Sequence, residues 1–108
     1  MTWKVAIEES SHIVSQSVRI ELYGIPRTRA GQPRDEYVVD DQMIVSLRDV
    51  LRFLVTRYPD LSPSCVTRNG ELTADCIVNL NGRRFVRSPE TEIQRGDAVL
   101  ILSADAGG

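Results

Sequence analysis

Residues 46–58 carry the pattern that most restricts what this chain can fold into. Leu47, Val50, Leu51, Leu54, Val55 and Tyr58 recur at i, i+3, i+4, i+7, i+8 and i+11, which draws one apolar stripe along a helix. Arg48, Arg52, Thr56 and Arg57 take the other side. Ser46 followed three residues later by Asp49 reads as a capping box, with Asp in place of the commoner Glu. Pro59 stops the helix, and Leu61-Ser62-Pro63 extends the turn. At about 1.5–3 kcal/mol per buried side chain, the stripe contributes on the order of 10 kcal/mol of gross burial. That exceeds anything the capping groups offer, so the helix must lie on a sheet.

The other legible segments are β-like. Val18, Ile20 and Leu22 alternate with Arg19, Glu21 and Tyr23, a half-buried strand that Gly24-Ile25-Pro26 ends. Residues 27–34 contain Gly31 and Pro33 and read as a loop, after which Tyr37-Val38-Val39 resumes a short strand. Cys76-Ile77-Val78-Asn79-Leu80 is a strand, and Asn81-Gly82 is a strong hairpin signal because a type I′ turn needs positive φ at both positions. Arg83 to Val86 returns, residues 89–95 connect, and Gly96-Asp97 turns the chain into a last strand over residues 98–102. The expected order is β-β-α-β-β-β, an α+β domain with one main helix packed on one face of a mixed sheet.

Composition sets limits on function. A length of 108 residues allows one core, and 42% hydrophobic with 26% charged residues is an ordinary globular balance. A net charge of -2 argues against a nucleic-acid partner. The longest apolar run, residues 98–102, is too short to span a membrane, and Glu8-Glu9 interrupts the only early apolar stretch, so neither a membrane nor a secretory signal is expected. Two cysteines suit a reducing, cytoplasmic compartment. Trp3, Val5 and Ile7 hint at a short strand, so residues 1–17 are expected to form an N-terminal extension, a tail or an added edge strand.

No constellation of catalytic or metal-binding residues emerges. His12, Cys65 and Cys76 lack zinc-type spacing, and the cysteines read as core or surface thiols. The pairs Asp35-Glu36 and Asp40-Asp41 flank a short strand and read as solvated edges. Arg83, Arg84 and Arg87 could grip phosphate but lack aromatic interleaving. Arg95-Gly96-Asp97 spells an adhesion tripeptide that its turn role explains, and no phosphate loop occurs. The chain is not expected to be an enzyme, and no metal or bound cofactor is expected.

The remaining signal lies at the end. Residues 103–108 read Ser-Ala-Asp-Ala-Gly-Gly and offer no large side chain to bury, as an extended tail reaching about 20 Å would. Gly107-Gly108, with no Cβ, can thread a narrow channel and lay a bare carboxylate in another protein's active site. The last strand is apolar on both faces, with Val99 and Ile101 on one and Ala98, Leu100 and Leu102 on the other. One helix covers one face, so the second needs a partner or the N-terminal segment, with Trp3 as a plug.

Residues 18–108 resemble the β-grasp (ubiquitin-like) sulfur carriers of the molybdopterin-synthase small-subunit and thiamine-carrier type. The resemblance rests on the opening strand, the capped helix with Pro59, the Val78-Asn79-Leu80-Asn81-Gly82 turn, and Gly96-Asp97 with the apolar strand leading to Ala106-Gly107-Gly108. Two departures stand out. Ser103-Ala104-Asp105 replaces a tail that often holds proline, and Ile25-Pro26-Arg27-Thr28-Arg29 is closer to carriers that feed cysteine synthesis. The resemblance implies a β-grasp domain over residues 18–102 and a flexible tail over 103–108.

It also implies a function. A partner similar to the ubiquitin-activating enzymes would join the Gly108 carboxylate to AMP, using its own ATP and Mg²⁺. Sulfur from a donor protein would displace AMP and leave a thiocarboxylate, with Gly107 and Ala106 completing the tail. An acceptor enzyme would take the sulfur: a molybdopterin synthase large subunit first, or a cysteine or thiazole synthase. The resemblance places the outward sheet face at the interface, which assigns partner binding to Tyr23, Leu100 and Leu102. Two other readings stay open: a ubiquitin-like modifier conjugated through Gly108, and a binding module whose Gly-Gly is incidental. A single lysine, Lys4, argues against chain building by a modifier.

Overall fold

The computed structural model describes residues 17–40 and 43–104. The elements in chain order are β1 (Ser17–Leu22), α1 (Ile25–Ala30), β2 (Arg34–Val38), β3 (Val45–Ser46), α2 (Leu47–Arg57), a 3-10 turn (Pro59–Leu61), β4 (Cys76–Leu80), β5 (Arg84–Val86), β6 (Glu92–Ile93) and β7 (Ala98–Ser103). Five strands form one sheet in the order β2-β1-β7-β4-β5, and β3 pairs with β6 separately. β1 and β7 run parallel at the centre, with antiparallel neighbours on both sides. The sheet is mixed and one long helix covers it, which is the β-grasp architecture.

The helix forms as its sequence demands. Ser46 Oγ accepts from the Asp49 backbone N–H at 3.3 Å, and Asp49 Oδ2 accepts from the Ser46 N–H at 3.0 Å, so both arms of the capping box close. Leu47, Val50, Leu51 and Leu54 are wholly buried and Val55 nearly so. They join Val18, Ile20 and Leu22 of β1, Val78 and Leu80 of β4, and Val99 and Ile101 of β7 in one core. The alternation read from the sequence therefore points its apolar faces toward the helix.

The structure corrects several readings. Residues 27–34 are not a loop: Ile25–Ala30 is a short helix and β2 begins at Arg34. Pro26 in the first turn and left-handed Gly31 just past the end are the start and stop signals of a helix. The connection over residues 89–95 contains β6, whose Ile93 pairs with Val45 and is buried with it. Asp35 is no solvated edge. It accepts from the Tyr58 hydroxyl at 2.6 Å and pairs with Arg57 Nε at 2.9 Å, tying β2 to the end of α2. That hydrogen bond is the main cause of the raised pKa of the Tyr58 hydroxyl.

Two motif fragments far apart in sequence meet before β7. Asn81 and Gly82 both hold positive φ, as the type I′ turn requires. Asn81 Nδ2 donates to Asp97 Oδ1 at 3.0 Å, and Asn81 Oδ1 accepts from the Ala98 N–H at 2.8 Å. Asp97 Oδ2 also accepts from the Gln94 N–H at 2.8 Å. The Asp97 carboxylate thus braces its own turn and ties it to the Asn81-Gly82 turn. It also fixes where β7 starts.

Candidate functional site

β7 is the axis of the site. Its register places Val99 beside Ile20 and Ile101 beside Leu22 and Val78, on the helix side. Leu100 and Leu102 then face outward and are only half-buried. Leu100 lies between Glu21 of β1 and Asn79 of β4, and Leu102 lies opposite Ile77. Phe85 pairs with Asn79 and stands 66% exposed. The outward face therefore has an apolar half built from Leu100, Leu102, Ile77 and Phe85. Its other half carries charge, with Arg19 and Glu21 of β1 paired to Glu36 and Arg34 of β2.

Tyr23 sits just past β1 and is 39% exposed. Its hydroxyl donates to the Glu21 carboxylate, and that bond is the first cause of its raised pKa, with desolvation next. Its backbone N–H donates to the Ile101 carbonyl at 2.9 Å, so the strand pairing runs one residue past β1. Tyr23, Leu100 and Leu102 all lie at the β1–β7 seam. Ile77 and Phe85 were not singled out in the sequence, although the strand period already sends Ile77 outward once Cys76, Val78 and Leu80 point in.

Ser103 was read as the first residue of the tail, yet it closes β7 opposite Cys76 and is 4% exposed. Ala104 follows, with its N–H donating to the Asp75 carbonyl at 2.7 Å. Ala106, Gly107 and Gly108 lie outside the described residues, as do Trp3 and His12.

The other candidate chemistries are absorbed by structure. Cys65 and Cys76 are free, buried thiols. Burial first, and then the neighbouring Cys65 thiol, push the Cys76 thiol far above its ordinary value, which keeps it protonated. Arg87 donates to the carbonyls of Cys76 at 3.1 Å and Thr73 at 2.5 Å, bracing the turn before β4 rather than a phosphate. Among the described residues no cluster of three or more His, Cys, Asp or Glu could hold a metal ion. No helix among them is long and apolar enough to cross a membrane.

Known proteins share this architecture. SAMP1 of Haloferax volcanii superposes with a TM-score of 0.69 at 24% identity, over 85% of this chain and 99% of that one. Small archaeal modifier protein 1 of Methanosarcina acetivorans gives 0.66 at 25% identity, over 85% and 96%. A putative molybdopterin converting factor, subunit 1, from Pyrococcus furiosus gives 0.65 at 21% identity, over 82% and 98%. No curated protein sequence matches the chain. The sequence pattern of the ThiS family matches residues 20–108, from β1 through the final Gly-Gly, and the chain belongs to that family.

Proposed function

We propose that this protein is a sulfur carrier whose Gly108 carboxylate is adenylated and then converted to a thiocarboxylate. The observation that carries the reading is the family match, which runs from residue 20 to Gly108. A carboxylate is a poor electrophile, because its charge is delocalised and oxide is a poor leaving group. Attack by the carboxylate oxygen on the α-phosphorus of ATP releases pyrophosphate and forms an acyl adenylate. Hydrosulfide then attacks the acyl carbon, AMP leaves with the bonding pair, and loss of the sulfur-bound proton gives the thiocarboxylate. ATP, Mg²⁺ and the catalytic groups belong to an activating enzyme similar to those of ubiquitin. This chain supplies the docking face and the carried atom. The stored sulfur goes to an acceptor enzyme of cofactor or metabolite synthesis, with molybdopterin first, then cysteine or thiamine.

Intact mass spectrometry after incubation with the activating enzyme, ATP and a sulfur donor tests this reading. One oxygen-to-sulfur exchange should appear and map to the C-terminal peptide. Failure to acquire sulfur from an enzyme shown to be competent sinks the proposal. The resemblance in fold to two archaeal modifier proteins favours a second reading, conjugation of Gly108 to an amine on another protein. That outcome would appear instead as a covalent adduct of the summed masses less water.

Docking is assigned to Tyr23, Leu100 and Leu102. An aspartate at the centre of an apolar contact is left without a partner and desolvated, so Leu102→Asp should weaken the complex with the activating enzyme by about tenfold or more. Because Leu102 already sees solvent, unfolding free energy should change by less than about 1 kcal/mol. Titration calorimetry and thermal melts read the two effects separately. Parallel loss of both would place Leu102 in the core and invert the face assignment.

A further inference from the structure

We infer that Ser103 is a positioning residue: its hydroxyl, seated against Gly24, locks the root of the C-terminal segment and so aims the Gly108 carboxylate. The inference rests on the carrier reading. Ser103 continues the core-facing series Val99, Ile101, 103 along β7, where the pattern calls for a third aliphatic side chain. A hydroxyl stands there instead, almost wholly buried. A buried polar group persists only when it is bonded, and this one accepts from the Ile25 backbone N–H at 2.7 Å.

That bond replaces a missing cap. α1 begins after Gly24, which has no side chain to satisfy the exposed N–H groups of the first turn. Ser103 supplies the oxygen from 78 residues away. Gly24 is required twice over. Its φ of +65° and ψ of -133° lie where only glycine rests easily, and a Cβ there would stand 2.4 Å from Ser103 Oγ. The neighbours on either side are held as well, because Tyr23 N–H reaches the Ile101 carbonyl and Ala104 N–H reaches the Asp75 carbonyl.

With Ser103 and Ala104 held, the four residues 105–108 can reach at most about 14 Å, against about 20 Å for six residues counted from Leu102. Effective concentration falls roughly as the −3/2 power of tether length, so releasing two residues costs about twofold before any loss of direction. A fixed exit direction adds to that, since small misplacements of a reacting group are costly.

The test compares wild type, Ser103→Ala and Ser103→Thr, the last of which keeps an acceptor oxygen. Amide exchange at Ile25 and Ala104 reports the lock, and ATP–pyrophosphate exchange with the activating enzyme reports kcat and KM. In Ser103→Ala, Ile25 should exchange about tenfold faster or more. Its kcat should fall about three- to tenfold at unchanged KM, because the docking face is untouched. Ser103→Thr should restore both. Unchanged Ile25 exchange would show that no such bond exists. Faster exchange with full kcat would show that the lock does not aim the carboxylate. A fall explained by unfolding alone, with the melting midpoint dropping in step, overturns it too. If wild type itself forms no adenylate, the carrier reading fails and the positioning role falls with it, while Ile25 exchange still reports the bond.

Discussion

Deleting Gly108 should abolish adenylation and sulfur loading while leaving the thermal midpoint within about 3 °C of wild type. The two halves of that expectation have separate causes. Gly108 has no side chain to remove, and among the described residues the core closes at Ile101 and the last strand ends at Ser103. The carboxylate itself would be ionised at neutral pH, since α-carboxyl pKa values lie near ~3.5. Removing the residue withdraws that carboxylate from the partner's ATP by about 3.5 Å, and appending alanine displaces it as far the other way. A misplacement of about 1 Å can already cost a hundredfold in rate, so both variants should lose at least that much. ATP–pyrophosphate exchange and intact mass give the result directly. Sulfur acquired by the truncated chain would show that Gly108 is not the reacting residue.

The elements with long periods were legible in the sequence. The stripe over residues 47–58 holds six apolar positions and β1 alternates over six residues, so each pattern repeats often enough to declare its period. β3 and β6 hold two residues each, which is too short to show any alternation, and their pairing depends on a fold that already brings Val45 to Ile93. α1 was missed for another reason. Gly31 and Pro33 were read as loop markers, although Pro26 inside and Gly31 beyond the segment bracket a helix. At the site, the outward face of Leu100 and Leu102 came from the family resemblance, because a strand apolar on both faces does not say which one the helix covers. Ser103 was not legible there, because a serine before alanine, aspartate and glycine looks like a tail. Its burial follows only from the chain returning past Gly24, a contact with no signature in either local sequence.

Replacing Leu54 by alanine should destabilise the domain by about 2–5 kcal/mol, the usual cost of removing a wholly buried aliphatic side chain. For a domain of this size that corresponds to a midpoint lowered by roughly 10 °C or more. Leu54 stands on the middle turns of α2 with no exposed surface, in the core shared with β1, β4 and β7. Arg52, exposed on the same helix, is the control: its truncation should change stability by no more than about 0.5 kcal/mol. Leu54→Met, which conserves volume, should cost less than about 1.5 kcal/mol. Denaturant melts of the three variants separate burial from helix propensity, since alanine is the better helix former and propensity alone would predict a gain. A loss below about 0.5 kcal/mol at Leu54 would mean that the stripe is not buried. The same variant separates the two faces of the sheet. Leu54 touches only the helix side, so below its melting midpoint the variant should still dock and be adenylated at the wild-type rate. If activation failed in the folded variant, the outward face would not be the surface that the activating enzyme reads.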